Sequence, residues 1–132
     1  MLVAKQAIRD GVMSVYNDNL SERGLVENIK KLQVVFSRQP KEFFNVLTER
    51  IIANGFTDKR LTDAVNHVID NFEYKELNVS DIIKFDKKVK LYNHSEASYM
   101  ITSGKATSFE DFDKITINGT LFRYLKSDKI KL

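Results

Sequence analysis

Six basic side chains in the second half of the chain have the types and the spacing to bind negatively charged groups. They are Lys84, Lys87, Lys88, Lys90, Lys114 and Arg123. The four lysines between residues 84 and 90 surround a single acid, Asp86. Lys114 and Arg123 are predicted to lie opposite each other on two strands, where like charges repel unless an anion or water screens them. Two interpretations stay open: a solvated surface, or a basic patch that contacts phosphates or an acidic protein.

A second group of residues could in principle bind a metal. His67 falls on the same predicted helical face as Asp63 and Asp70, and His94 stands alone at a predicted helix start. Imidazole and carboxylate groups are metal ligands, but the sequence offers no second cluster to complete a coordination shell. The spacing is more typical of a solvated helix face, and the sequence predicts neither a metal nor another cofactor.

Catalytic motifs are equally scarce. Gly104-Lys105 resembles the end of a phosphate-binding loop, but Tyr99 stands where that motif needs its first glycine and Ala106 where it needs Ser or Thr. A Gly-x-Ser-x-Gly nucleophile motif is absent. The sequence therefore predicts a binding protein without catalytic residues rather than an enzyme.

Amphipathic helices are the elements that must position these residues. In the stretch from Thr57, Leu61, Val65, Val68 and Phe72 recur at spacings of four, three and four, which marks one buried helical face. Similar stripes predict a helix after Ser21 and another over 40–54, and a short helix is predicted over 79–86. A stripe of apolar residues also predicts an N-terminal helix over 2–16.

The pattern changes after Asp86, from helical periodicity to alternation. A strand is predicted at 87–92, a helix at 94–103, and a hairpin over 114–124 around Asn118-Gly119, the preferred type I′ turn. This turn pairs Ile117 with Thr120 and Lys114 with Arg123. The predicted fold is α+β: a helical unit at 1–86 (an N-terminal helix or arm at 1–20 and a bundle at 21–86), a β-α-β-β module at 87–125, and a frayed basic tail at 126–132.

Composition limits the class of protein. The chain has 132 residues, 42% apolar and 30% charged, with no Cys, which suits one domain with a small added module and needs no oxidising compartment. Neither a membrane-spanning run nor a signal peptide is recognisable, so the prediction is a cytoplasmic protein. The net charge of +3 permits a nucleic-acid partner without requiring one. Tyr92 and Tyr124 could stack on single-stranded bases, although both also fit a core.

An aromatic residue, a proline and a second aromatic follow the first amphipathic helix, and two longer helices and a short one come next. The residues are Phe36, Pro40, Phe44, Leu47–Ile52, Leu61–Phe72 and Val79–Ile83. This order resembles the small helical helicase-loader proteins of bacteriophages and related mobile elements. The resemblance implies a non-enzymatic protein that binds a replicative hexameric helicase, and in some cases an initiator. The chain departs from that group in Asn78-Val79, where a proline is common, and in the β-containing part after Asp86, so no partner-binding residue is transferred.

The leading functional prediction is therefore a non-enzymatic adaptor in phage or mobile-element DNA replication that binds a replicative helicase or an initiator. The alternative is a nucleic-acid-binding module, in which the hairpin acts as a wing and the basic residues contact phosphates. The two differ in one measurable property, because binding to nucleic acid weakens steeply as salt is raised.

Overall fold

The computed structural model describes residues 2–3, 8–9, 11–72 and 76–132. These residues form two compact units. The first contains 2–3, 16–72 and 76–86, and the second contains 8–9, 11–15 and 87–132. The chain passes from the first to the second between Asp86 and Lys87, where the helical periodicity of the sequence ends. The longer helices lie in the first unit and most strands in the second, which confirms the predicted α+β class.

The first unit is built mainly from helices. They are α1 (Glu22–Val35), α2 (Lys41–Ala53), α3 (Asp58–Asn71) and α4 (Val79–Ile83). A small antiparallel pair of strands, β1 (Leu2–Val3) and β4 (Asn19–Leu20), belongs to the same unit. The four helices confirm those predicted between residues 21 and 86.

Helix α3 supplies the centre of the helical core, as its apolar stripe predicts. Leu61, Val65 and Val68 are at most 1% exposed and pack in one cluster with the inner faces of α1, α2 and α4. Phe72, at the end of the stripe, is half-buried and meets the edge of the Phe36 ring at 5.9 Å. Full burial of a Val or Leu side chain contributes about 1.5–3 kcal/mol, so this stripe is a main source of the unit's stability.

The first turns of α1 and α3 lie against each other. A side-chain hydroxyl caps the start of each helix. Ser21 accepts a hydrogen bond from the Gly24 amide in α1, and Thr57 accepts one from the Arg60 amide in α3. The Asp58 carboxylate, in the first turn of α3, accepts hydrogen bonds from the Ser21 amide at 2.9 Å and the Ser21 hydroxyl at 2.7 Å. A Cβ atom at position 24 would collide with Asp58 Oδ1, so the close approach requires glycine.

The predicted N-terminal helix over 2–16 is wrong. The described residues of that stretch form β1, β2 (Ile8–Arg9) and β3 (Val12–Ser14), while 4–7 and 10 lie outside the described residues. Gly11, at φ +72°, turns the chain between β2 and β3, and buried Met13 alternates with half-buried neighbours as in a strand. Residues 11–15 also belong to the second unit and not to the helical one.

The second unit combines strands with short helices. Its later elements are β5 (Lys88–Lys90), α5 (His94–Thr102), a 3₁₀ turn (Phe109–Asp111), β6 (Phe112–Ile117), β7 (Thr120–Leu125) and α6 (Lys126–Ile130). Strands β2, β3 and β5 form one antiparallel sheet, β6 and β7 form the predicted hairpin, and a single bridge between Tyr92 and Arg123 joins the two. The C-terminal residues predicted to fray form α6 instead, a single short helix after β7.

The hairpin has the predicted register. Ile117 pairs with Thr120 and Lys114 with Arg123, and the two turn residues, Asn118 and Gly119, have φ values of +51° and +79°. Such positive φ values are what a type I′ turn requires, and Asn and Gly tolerate them best. Separate apolar clusters occupy the two sides of the strands, one around Met13, Val89, Leu91 and Ile117 and one around Tyr92, Ala97, Ala106 and Phe112.

No helix among the described residues is long and apolar enough to cross a membrane.

Candidate functional site

The structure divides the six predicted cations between the two units. Lys84 follows α4 in the first unit, where its ammonium group lies 3.8 Å from Asp81 and its side chain is 74% exposed. Lys87, Lys88, Lys90, Lys114 and Arg123 all belong to the second unit. Five of the six therefore share one compact body, and only these five are considered as one site.

Strand β5 presents two of these lysines to solvent. Lys88 and Lys90 are exposed on either side of buried Val89, and the Lys90 ammonium group lies 5.2 Å from the centre of the Tyr92 ring. Lys87 precedes the strand, and its carbonyl accepts a hydrogen bond of 2.8 Å from the Val15 amide. Strand pairing to β3 thus fixes the basic segment that the sequence predicted.

Lys114 and Arg123 face each other as predicted, but their environments differ. Lys114 is exposed on β6, whereas Arg123 is only 9% exposed. The main chain of Arg123 is bonded on its second side to Tyr92, through hydrogen bonds of 2.7 and 2.8 Å. The hairpin that was predicted to act as a wing is joined to the rest of its unit at β7, which is an inner strand where Tyr92 pairs with it.

The Arg123 guanidinium contacts two aromatic side chains, one at a ring nitrogen and the other over its ring face. Its Nη1 is 3.3 Å from Nδ1 of His94, and its central carbon is 5.0 Å from the centre of the Phe109 ring. Nε is buried without a hydrogen-bond partner. Among the described residues no carboxylate lies within 4 Å of this guanidinium, and Arg123 is the one charged residue there that is buried. A guanidinium can only donate, so its contact with His94 requires Nδ1 of that ring to be the acceptor.

His94 and Phe109 form a parallel stack beside this cation. Their ring centres are 5.3 Å apart, their planes differ by 8°, and both side chains are exposed, Phe109 by 41%. His94 is the first residue of α5, held there by a capping box between Asn93 and Glu96. We call Arg123, His94 and Phe109 the Arg123 cluster.

The loop before Phe109 is braced by an acid that does not contact Arg123. The Asp111 carboxylate accepts hydrogen bonds from the Thr107 amide at 2.7 Å and the Thr107 hydroxyl at 2.6 Å. These bonds lower the pKa of Asp111 below its ordinary value. Ser108 begins the 3₁₀ turn by accepting a hydrogen bond from the Glu110 amide. Phe109 is thus held on a fixed turn, which keeps its ring over the guanidinium.

Charge is distributed unevenly along the chain. Residues 87–132 contain nine Lys and Arg against five Asp and Glu, a net charge of +4. Residues 16–86 contain ten against twelve, a net charge of −2. The positive charge of the protein is therefore concentrated in the second unit, where a polyanion would be attracted.

The other residues that the sequence offered as candidates for chemistry make contacts within the fold. Asp63 accepts a 2.7 Å hydrogen bond from the Tyr16 hydroxyl, and burial together with this bond raises the pKa of Tyr16. His67 lies against the Phe85 ring, with ring centres 5.3 Å apart. No group of three potential metal ligands occurs among the described residues. Gly104, at φ +81°, ends α5, which is the role that a helix-stop glycine performs.

The helical unit has apolar groups on its surface. Val34, Val26 and Val35 of α1 are 79%, 51% and 48% exposed. Near the end of α1 lies a cleft of about 760 Å³, whose lining includes Phe36 and Phe43. Protein-binding surfaces commonly contain such exposed apolar side chains grouped on one element.

The sequence predicted Arg123 and Lys114 as contact residues. It did not predict that His94 and Phe109 lie beside Arg123. The capping box at Asn93 and the single turn at Ser108 were both recognisable, and they place His94 and Phe109 on defined elements. Tyr92 and Tyr124, the two aromatics named for base stacking, are instead buried and half-buried in the core. No family model matches this chain, and no significantly similar curated protein or solved structure was found.

Proposed function

We propose that the protein binds nucleic acid through its second unit and performs no chemistry on it. The observation that carries the proposal is the Arg123 guanidinium, which is buried and has no carboxylate within 4 Å among the described residues. Buried charges in proteins are normally paired, because an isolated one is costly. A phosphate group supplies the missing negative charge and the acceptor oxygens, and a planar guanidinium suits it well.

Neighbouring cations support the same partner. Lys114 lies directly across the ladder from Arg123, and Lys88 and Lys90 are exposed on β5. Together with the net charge of +4 over residues 87–132, they favour a polyanion over a single small anion. Lys87 completes the basic segment before β5, and Lys84 belongs to the other unit and is left out of this site.

The test is a titration of a labelled oligonucleotide at several salt concentrations. Each phosphate contact contributes a slope of about −0.7 for single strands, or −0.9 for duplex, to the plot of log affinity against log salt. Arg123→Met should weaken binding and make the slope shallower by about one such contact. Lys105→Met is the matched control, since it removes one positive charge from the same unit in the exposed loop after α5. A flat salt response, or equal losses in the two variants, would overturn the proposal.

A second candidate is the adaptor role in phage or mobile-element DNA replication, with a replicative helicase or an initiator as the partner. It is supported by the resemblance described above and by the exposed valines of α1, of which Val34 is 79% exposed. Val34→Glu should abolish co-purification with the helicase encoded in the same genome and leave the thermal midpoint unchanged. Gln33→Glu, at the adjacent exposed position, adds the same charge and is the control. Capture that is equal in both variants, or absent from the unmodified pair, would remove this candidate.

A further inference from the structure

We infer that the Arg123 cluster selects single-stranded over double-stranded nucleic acid, with the His94–Phe109 stack acting as a platform for an unpaired base. The inference rests on the proposed function and adds the class of nucleic acid to it. The selectivity depends on the two aromatic rings, since a guanidinium alone binds the phosphate backbone of both single-stranded and double-stranded nucleic acid.

The geometry of the two rings is the first reason. They are parallel to within 8° and both are exposed, so the stack offers aromatic surface to solvent beside the cation. A phenylalanine that is 41% exposed gains less stability from burial than a core residue does. The capped turn nevertheless holds its ring at the surface, where a ligand can contact it. Bases in a duplex already stack on one another, so only an unpaired base can use such a surface.

The position of the cation is the second reason. The Arg123 guanidinium lies 5.0 Å from the Phe109 ring centre and 3.3 Å from the His94 ring nitrogen. A nucleotide joins a base to a phosphate, and both can therefore be met at one place, the base by the rings and the phosphate by the cation. Stacking platforms combined with a basic groove are the usual means by which proteins bind single strands without sequence preference.

The experiment compares three probes of equal length, about 12 nucleotides each: a single strand, the corresponding duplex, and an abasic strand that keeps the phosphates but lacks bases. The unmodified protein should bind the single strand more tightly than the duplex at the same salt concentration. Phe109→Ala should weaken binding of the single strand by roughly 5- to 150-fold, which is the range for loss of one stacked base. Its affinity for the abasic strand should not change.

Two further variants keep the result interpretable. Tyr99→Ala removes another exposed aromatic residue, 67% exposed on α5, and should leave all three affinities unchanged. Phe109→Trp keeps an aromatic face and should retain tight binding of the single strand. Should Phe109→Ala lose its fold, His94→Ala is expected to give the same selective loss.

The outcomes separate the two proposals. A selective loss for the single strand, with the abasic strand unaffected, supports the platform. Equal affinities for single strand and duplex, with Phe109→Ala behaving like Tyr99→Ala, would overturn the platform and leave nucleic-acid binding standing. Failure of the unmodified protein to bind any of the three probes would overturn the proposed function and the platform with it.

Discussion

Each unit of the protein contains a buried or nearly buried arginine, and the two have very different surroundings. In the helical unit Arg60, whose side chain is 12% exposed, donates to the carbonyls of Phe85 at 2.7 Å and Ile83 at 3.0 Å. Asp86 lies 3.9 Å away, and the Phe56 ring 3.8 Å away. Among the described residues, the guanidinium of Arg123 contacts only a histidine nitrogen and an aromatic ring.

The difference separates a cation that is engaged within its own unit from one that, under the proposed function, binds an external anion. Arg60 links α3 to the end of α4 and satisfies carbonyls that would otherwise lack an intrahelical partner. Burial lowers the pKa of Arg60, while Asp86 and Tyr16 act to raise it, and a guanidinium stays charged throughout the accessible pH range. Among the described residues Arg123 donates to no carbonyl or carboxylate, and under the proposed function the donors not facing His94 bind an external acceptor.

The strongest test of this contrast is removal of Arg60. Arg60→Met should lower the free energy of unfolding by about 3 kcal/mol, because two partly buried carbonyls lose their donor and Asp86 loses a nearby positive charge. Urea unfolding followed by far-ultraviolet circular dichroism measures the change. Arg50→Met, which removes an exposed arginine from α2, should alter stability by less than about 0.5 kcal/mol. If the two variants unfold at the same urea concentration, Arg60 has no structural role.

A second test concerns another charge in the helical unit that is fully engaged, the Asp58 carboxylate between α1 and α3. Gly24→Ala places a methyl group against Asp58 Oδ1, which the two bonds to Ser21 hold in place. We expect a loss of about 1–3 kcal/mol, typical of overpacking. In an Asp58→Ala background the same substitution should cost less or stabilise, because Ala is the better helix former by about 1 kcal/mol. Equal costs in both backgrounds would exclude the collision as the cause.

A smaller effect is expected from the acid that braces the Arg123 cluster. Because the folded pKa of Asp111 lies below its ordinary value of 3.8, its contribution to stability is present above pH 3.8 and is lost as the pH falls through the folded pKa. The thermal midpoints of the unmodified protein and Asp111→Asn should therefore differ by a constant amount near neutral pH and converge in acid. A difference that persists unchanged to about pH 2 would mean that the Thr107 bonds do not depend on the charge.

The parts of the fold that the sequence predicted are those determined locally. The spacing of Leu61, Val65 and Val68 specifies a helix face by itself, and Asn118-Gly119 specifies a turn and hence a register. Strand β3 could not be found in this way, since Met13 pairs with Val89, far along the chain. A stripe of apolar residues at 2–16 fitted a helix equally well, and the distant partner decided the outcome.

The candidate site follows the same rule. The Lys114–Arg123 pair was predictable, because a two-residue turn fixes which residues face each other. The contact of Arg123 with His94 and Phe109 depends on three elements, β7, α5 and the 3₁₀ turn, that meet only in the folded unit. The bridge between Arg123 and Tyr92, which makes β7 an inner strand at that point, is likewise encoded by no local pattern.

The substitution with the smallest expected effect on stability, at Arg123, is the most informative about the contrast between Arg60 and Arg123. Arg123→Met should change the free energy of unfolding by less than about 1 kcal/mol, or increase it. The substitution removes a buried charge that holds no carboxylate within 4 Å among the described residues, and it relieves the repulsion across the ladder from Lys114. The flexible thioether can also pack against the Phe109 ring in place of the guanidinium.

The urea series that measures Arg60→Met applies unchanged to Arg123→Met, which makes the two substitutions directly comparable. Both replace an arginine by the same apolar side chain, and they differ only in what that arginine held. A loss at Arg123 as large as the loss at Arg60 would mean that its donors serve the fold. A near-zero change or a gain in stability, accompanied by weaker binding of nucleic acid, would mean that the fold does not need this cation, which is expected of a group retained for binding.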